Sequence, residues 1–204
     1  MAMMRGIAAY DSHNGSWLEG PLNPTMQVLS AGLPNVDTDG EIDRSITLRP
    51  IEADDEAFLY RVYAATREAE LAQVAWDAAQ REAFLWQQFT AQHRYYQEHY
   101  ADTAFQVILV DGRPAGRLYV ARWPDELRIV DIALLPEHRN AGVGTALLRE
   151  LQAEAARAGK PLRIHVEIFN PARSLYERLG FRPIADRGVY LFLEWSPPDV
   201  ERRA

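Results

Sequence analysis

The segment "PEHRNAGVGTALLREL", Pro136 to Leu151, sets an arginine and two glycines where a long helix begins. Inside a helix, Gly142 and Gly144 would each cost about 1 kcal/mol relative to alanine. A helix N-terminus leaves its first N–H groups without partners, and its dipole favours an anion there. Glycines let phosphate oxygens approach those groups, and Arg139 adds a positive charge. The same residues also fit a tight strand-to-helix turn with two incidental glycines, and the motif alone leaves both readings open. No Gly-Lys-Ser/Thr follows, so this is not a nucleoside triphosphate loop. "GVGTAL" also lacks the third glycine of the dinucleotide fingerprint. A second reactive set lies in "IHVEIF", where His165 and Glu167 are two apart and share one face of a strand. His165 can accept a proton near neutral pH, and Glu167 can orient it or act through water. Either one equally fits a salt link under a sheet.

These residues need elements to position them. Ile46 and Leu48 alternate with polar residues as in a strand. Asp54 reads as the N-cap of a helix, with Asp55 and Glu56 in its first turn and Phe58, Leu59, Val62 and Tyr63 at helical spacing. A second helix runs from about Asp77 to Tyr96. "FQVILV", the Asp111-Gly112 turn and "AGRLYVARW" form a hairpin, and "ELRIVDIALL" is a third strand. The helix that begins at the glycines stops at Gly159 and Pro161. "LRIHVEIF" is a strand, "NPARSLYERLGF" a capped helix, and "GVYLFLEW" the last strand. The order β-α-α-β-β-β-α-β-α-β predicts an α/β domain with a mixed sheet.

The chain has 204 residues, 48% of them hydrophobic and 25% charged, which suits one soluble domain with a sizeable core. A formal net charge of −7 disfavours nucleic acid and anionic membranes as partners. There is no cysteine, which excludes disulfides, thiolate metal sites and a cysteine nucleophile and fits a cytoplasmic protein. No apolar run spans a bilayer, and no secretory signal pattern is present. Residues 1–45, rich in Gly, Pro, Asn, Asp and Ser, read as an irregular or disordered arm, with Met26 as an alternative start. The domain occupies 46–196, and 197–204 form a tail. His13, His93, His99 and His138 show no metal-ligand spacing, so no metal is expected.

"IVDIALLPEHRNAGVGTALL" closely resembles the acyl-CoA-binding segment of the GNAT superfamily of N-acetyltransferases. That pattern is a strand, a proline, then Arg/Gln-x-x-Gly-x-Gly/Ala opening a helix, and Arg139, Gly142 and Gly144 fill it. "NPARSLYERLGF" matches a second family block of Asn, then Tyr, then Gly-Phe, and the Leu-Arg-Pro at 48–50 matches the opening strand. The resemblance covers roughly residues 45–195. It implies a GNAT fold whose central strand splays from the next, with acetyl-CoA as co-substrate in the gap. Backbone groups of Ile132, Ala133, Leu134 and Leu135 would pair with the pantetheine arm. The N–H groups of Arg139, Asn140, Ala141, Gly142, Val143, Gly144 and Thr145 would hold the pyrophosphate. An N–H near Leu134 would polarise the thioester carbonyl.

The resemblance also implies roles for the remaining residues. Tyr176 would be the general acid for the departing sulfur, since a phenol is neutral at pH 7 and can donate; a core tyrosine is the alternative. Asn170 would contact the cofactor while capping its helix, with Pro171 at the first helical position. Enzymes that acetylate ribosomal-protein termini carry a catalytic glutamate where this chain has His165. The segment from Arg67 to Trp76 would line the acceptor pocket; Glu68 and Glu70 read first as a solvated helix end, and Asp131 could face the acceptor. Gly180-Phe181 reads as a helix stop without chemistry. The implied activity is acetyl transfer to a primary amine, on a small molecule or peptide, by direct attack in a ternary complex. The alternative is a non-catalytic acyl-CoA-binding module. A homodimer is compatible with Trp86, Tyr95 and Tyr96, which read as core or dimer surface.

Overall fold

The computed structural model describes residues 44–100 and 102–198, with the backbone of two short strands, β1 (Ala9–Asp11) and β2 (Ser16–Leu18), paired antiparallel. The rest of the expected arm, Met26 included, and 199–204 of the tail lie outside the described residues. The domain continues as β3 (Ile46–Pro50), α1 (Glu56–Leu71), α2 (Ala78–His99), β4 (Thr103–Val110), β5 (Arg113–Arg122), β6 (Leu127–Leu134), α3 (Val143–Ala158), β7 (Leu162–Glu167), α4 (Arg173–Arg178), β8 (Arg182–Asp186) and β9 (Tyr190–Trp195). Strands β3 to β9 form one sheet in the order β3-β4-β5-β6-β7-β9-β8. Every neighbouring pair is antiparallel except β6 and β7, which are parallel.

Local chemistry explains most element ends. Asp111 and Gly112 both have positive φ, 51° and 74°, the conformation a two-residue hairpin needs. Asp77 caps α2 through the Gln80 N–H at 2.9 Å. Gly180 is left-handed, and the Phe181 N–H donates back to the Tyr176 carbonyl, closing α4. The start of α1 differs from expectation. Asp54 does not cap it; a turn of tighter helix covers Ala53–Asp55, and Asp55 accepts from the Glu52 N–H while Arg49 grips its carboxylate at 2.6 and 2.7 Å. That grip holds the Asp55 carboxyl below the usual range. Strand β8 was not expected, because on this exposed sheet edge its side chains do not alternate in burial.

The sheet separates two apolar layers. Leu127, Ile129, Ile164, Val166 and Tyr176 pack with α3 on one face. Phe105, Tyr119, Leu59, Tyr63 and Phe89 pack under α1 and α2 on the other. One break in the sheet matters for function. Strand β6 pairs with β7 only from Leu127 to Ile129, opposite Leu162 to Ile164; beyond that the strands share no pairing. The β5–β6 register shifts at the same place, leaving Val130 unmatched between Ile129 and Asp131. A bulge bends the strand that carries it, so β6 turns away from β7 and a cleft opens toward their C-terminal ends. Gly116 keeps β5 against the bent strand, because a Cβ there would overlap the Ala133 carbonyl oxygen.

Candidate active site

The floor of the cleft is backbone. The Leu135 N–H donates to Ala115 of the β5 side at 2.9 Å. Strand backbone groups alternate in direction, so Ala133 and Leu135 face β5 while Ile132 and Leu134 face the cleft. This corrects the expectation that all four would be available to a pantetheine arm: Ala133 and Leu135 are committed to the sheet.

At the end of β6 the chain enters the glycine segment. Asn140 and Gly142 are both left-handed, at φ 56° and 79°. Asparagine is among the few non-glycine residues that tolerate this. Gly142 is the N-cap of α3, and no side chain caps that helix. Gly144 lies in the first turn, where a Cβ would meet only Leu175 Cδ2 at 3.4 Å. The Arg139 N–H bonds to Pro136, and the helical ladder begins with Ala146 to Gly142. Between them, the N–H groups of Asn140, Ala141, Gly142, Val143, Gly144 and Thr145 have no acceptor among the described residues. Such a nest at a helix N-terminus suits a diphosphate. The Arg139 side chain is differently employed: its Nε donates to the Leu134 carbonyl at 2.9 Å and its Nη2 to the Ala65 carbonyl at 3.0 Å. It ties α1 to the end of β6 and is not a free cation over the nest.

Tyr176 and Glu167 lie on opposite faces of β7. Tyr176, on α4, is 4% exposed and packs edge-on against Phe181 at 5.6 Å. Its hydroxyl has no hydrogen-bond partner among the described residues. Burial, and secondarily the charge of Asp131, push its pKa up, so the phenol keeps its proton. Asp131 sits on the α1/α2 side of β6, ion-paired to the buried Arg117 at 2.7 Å, with Gln92 also accepting from that guanidinium. Asn170 does not cap α4 as expected: regular helix starts only at Arg173, its N-cap is Ala172 with no side-chain cap, and Asn170 Oδ1 instead accepts from the Ala172 N–H at 2.8 Å in a turn ahead of the helix.

The two base candidates differ sharply. His165 lies flat on Phe192 with centroids 4.3 Å apart, and burial, then Arg128 and Arg187, depress its pKa to about 3. A ring so reluctant to take a proton is a poor general base, which corrects the expectation for His165. Glu167, at the open end of β7, accepts a long hydrogen bond from the Tyr190 hydroxyl at 3.4 Å. Near the end of α1, Arg67 and Glu70 form a pair at 2.9 Å. Tyr190 is pushed up to about 12, mainly by burial and then by Glu167. Arg67 opens the segment from Arg67 to Trp76 that the resemblance implies as lining for the acceptor pocket, although the sequence alone singles out Glu68 and Glu70 there.

Comparison with known proteins identifies the fold. Residues 69–181 match the model of the acetyltransferase (GNAT) family. A Bacillus subtilis (strain 168) protein with the provisional name [ribosomal protein bS18]-alanine N-acetyltransferase is 30% identical over 109 residues, 52% of this chain and 70% of the relative. The PaiA N-acetyltransferase of Thermoplasma acidophilum, solved with coenzyme A, superposes with a TM-score of 0.57 at 18% identity, over 74% of this chain and 99% of that one. The ribosomal-protein-S18-alanine N-acetyltransferase of Escherichia coli gives 0.50 at 19% identity, over 78% and 98%. The splayed mixed sheet is thus a shared fold, and the chain belongs to the GNAT family of acetyltransferases.

Proposed function

We propose that this chain transfers an acetyl group from acetyl-CoA to a primary amine by direct attack within a ternary complex. The observation that carries this reading is the uncapped N-terminus of α3 beside an open β6–β7 cleft. The six unpaired N–H groups suit the pyrophosphate of coenzyme A, and the cleft-facing backbone of Ile132 and Leu134 suits its pantetheine arm. The Leu134 carbonyl is already taken by Arg139, which leaves the Leu134 N–H and the Ile132 amide groups. One of these N–H groups is aimed at the carbonyl oxygen that gains negative charge during transfer.

Acetyl-CoA supplies an activated acyl group and a thiolate leaving group. The protein must handle two protons. An amine of pKa about 10.4 needs roughly 4–5 kcal/mol to be neutral at pH 7. Glu167, at the mouth on the α1 side, is the group that takes this proton, directly or through a water. Tyr176, on the α4 side, gives its proton to the sulfur as the C–S bond breaks and the C–N bond forms. The two act from opposite faces of β7, so neither intercepts the other's proton. Tyr190 holds the Glu167 carboxylate, and His165 is packing.

A thiol-release assay with acetyl-CoA and a panel of amines tests the proposal. Release should depend on an amine and fall at least tenfold in Tyr176→Phe, whose melting point should still rise with coenzyme A. Gly142→Asp, which adds a Cβ at φ 79° and an anion to the nest, should abolish that rise. Tight coenzyme A binding without turnover of any amine would instead mark a binding module.

A further inference from the structure

Among the described residues, Phe169 is the most exposed of the large hydrophobic side chains, at 89%. The chain around it is tightly held. Phe169 is the third residue of a turn that starts at Glu167, and the Asn170 N–H closes that turn by donating to the Glu167 carbonyl at 2.9 Å. The Ile168 N–H donates to the Val189 carbonyl at 3.0 Å, and Arg173 Nη1 donates to the Ile168 carbonyl at 2.7 Å. Val189, itself 56% exposed, is thereby fixed beside the turn. Phe169 follows Glu167 by two residues, and Val189 precedes Tyr190, which stands opposite Glu167 in the sheet and hydrogen-bonds to it.

Scattered exposed hydrophobic residues need no explanation, and Trp86 shows why: its half-open ring still packs against Tyr60 and Phe89. Phe169 meets no other ring among the described residues. Two uncovered apolar side chains on one hydrogen-bonded frame, both next to the Glu167–Tyr190 pair, are a different matter. An acceptor must bring its amine to Glu167. The ends of a four-residue turn lie within about 7 Å of each other, so the group that carries the amine is confined to the neighbourhood of Phe169. A polar carrier gains nothing there, whereas an apolar one takes the ring and the valine out of water.

We infer that Phe169 and Val189 are specificity-determining residues, an apolar ledge that receives the hydrophobic group next to the acceptor's amine. The acceptor is then a primary amine borne on an aryl or branched alkyl group, either free or as the first residue of a peptide. This rests on the acetyltransferase reading above, with Glu167 as base, and narrows it. Both side chains are largely open to solvent, so the ledge grades acceptors by contact area and does not exclude them by shape. Contact made equally before and during transfer acts on KM and leaves kcat alone.

The test uses the full chain and acetyl-CoA, read by thiol release at matched concentrations of neutral amine. Phenethylamine and isopentylamine are set against ethanolamine, and dipeptide amides beginning with Phe or Leu against those beginning with Ser or Gly. The apolar members should lead in kcat/KM by about tenfold or more, chiefly through KM, and the faster of the two series identifies the source of the amine. Phe169→Ser and Val189→Ser should each reduce that lead, and the double variant should bring it close to parity. Truncation at these exposed positions opens no cavity, and a coenzyme A-dependent rise in melting point verifies that each variant is folded. Equal use of apolar and polar amines, or a lead that survives the double substitution, would overturn the inference and leave acetyl transfer standing. So would a double variant that changes only from dimer to monomer in light scattering, which would make the ledge a contact between copies. No turnover of any amine, with coenzyme A still raising the melting point, would overturn both.

Discussion

The cleft between β6 and β7 has a closed end and an open end, and their charged residues are treated in opposite ways. At the closed end, Glu126 and Arg128 are each 3% exposed and sit 2.5 Å apart. Glu126 also meets Arg163 at 2.6 Å, and Arg163 meets Glu194 at 2.7 Å. Arg128 lies over the rings of Trp123 and Phe192, at 5.3 and 4.7 Å. Every charge there has an opposite charge beside it, and the strands are hydrogen-bonded. At the open end, strand pairing stops, and among the described residues Glu167 has one long hydrogen bond. Buried ion pairs are weak evidence of stabilisation in themselves, but removing one member is strongly destabilising. The contrast therefore separates charges locked in mutual pairs from a carboxylate held by a single long hydrogen bond among the described residues.

The largest expected effect comes from damaging the closed end. Glu126→Ala leaves the buried Arg128 without its carboxylate and Arg163 with Glu194 alone, and should cost about 3–5 kcal/mol of stability. Chemical denaturation would measure it. Activity per folded molecule should change little, since no group at the open end is touched. A loss well under 1 kcal/mol would show that the closed-end network is not a structural lock.

Glu167→Gln should invert that pattern. Removal of a general base lowers turnover by about 10²- to 10⁴-fold, yet Glu167 packs loosely and the denaturation midpoint should stay within about 0.5 kcal/mol of the parent. The residual rate should recover as pH rises, because a more alkaline solution supplies neutral amine without help. A variant that retained full activity would remove Glu167 from the mechanism.

How much of this was legible beforehand follows from which physical signals are local. The Asp111-Gly112 turn, the Asp77 cap and the glycine stop at Gly180 depend on residues a few positions apart, and they were readable. The family blocks pointed to the N-terminus of α3, where the N–H groups proposed to hold the cofactor lie. The bulge at Val130 was not readable, because it reflects how three strands are shared, and neither was the direction of individual backbone groups, which removed Ala133 and Leu135 from the cleft. The Arg139 side chain looked free in sequence and proved to be a tether, because its acceptors Ala65 and Leu134 come from another helix and strand. His165 and Glu167 share a strand face, and only the tertiary surroundings separate them: Phe192 and Arg128 cover one, and the open mouth receives the other.

That last distinction yields the smallest effect at neutral pH. His165→Phe keeps an aromatic ring on Phe192, so at pH 7 to 8 stability should change by less than about 1 kcal/mol. In acid the two proteins should diverge. The ordinary histidine pKa near 6.5 belongs to the unfolded chain, whereas the native ring resists protonation down to about 3. Between those values the unfolded chain binds a proton that the native protein does not, so the parent loses stability as pH falls through this window. The phenylalanine variant lacks that loss. Carboxylates titrate in both, so the difference between the two stability curves isolates the ring, and by pH 4 it should favour the variant by about 2–3 kcal/mol. Melting points measured from pH 8 to pH 4 provide the comparison, with thiol release at pH 7.5 alongside. Parallel curves would mean that the ring is protonated normally, and a variant that folds but loses turnover would return the base to His165 and leave Glu167 as its orienting partner.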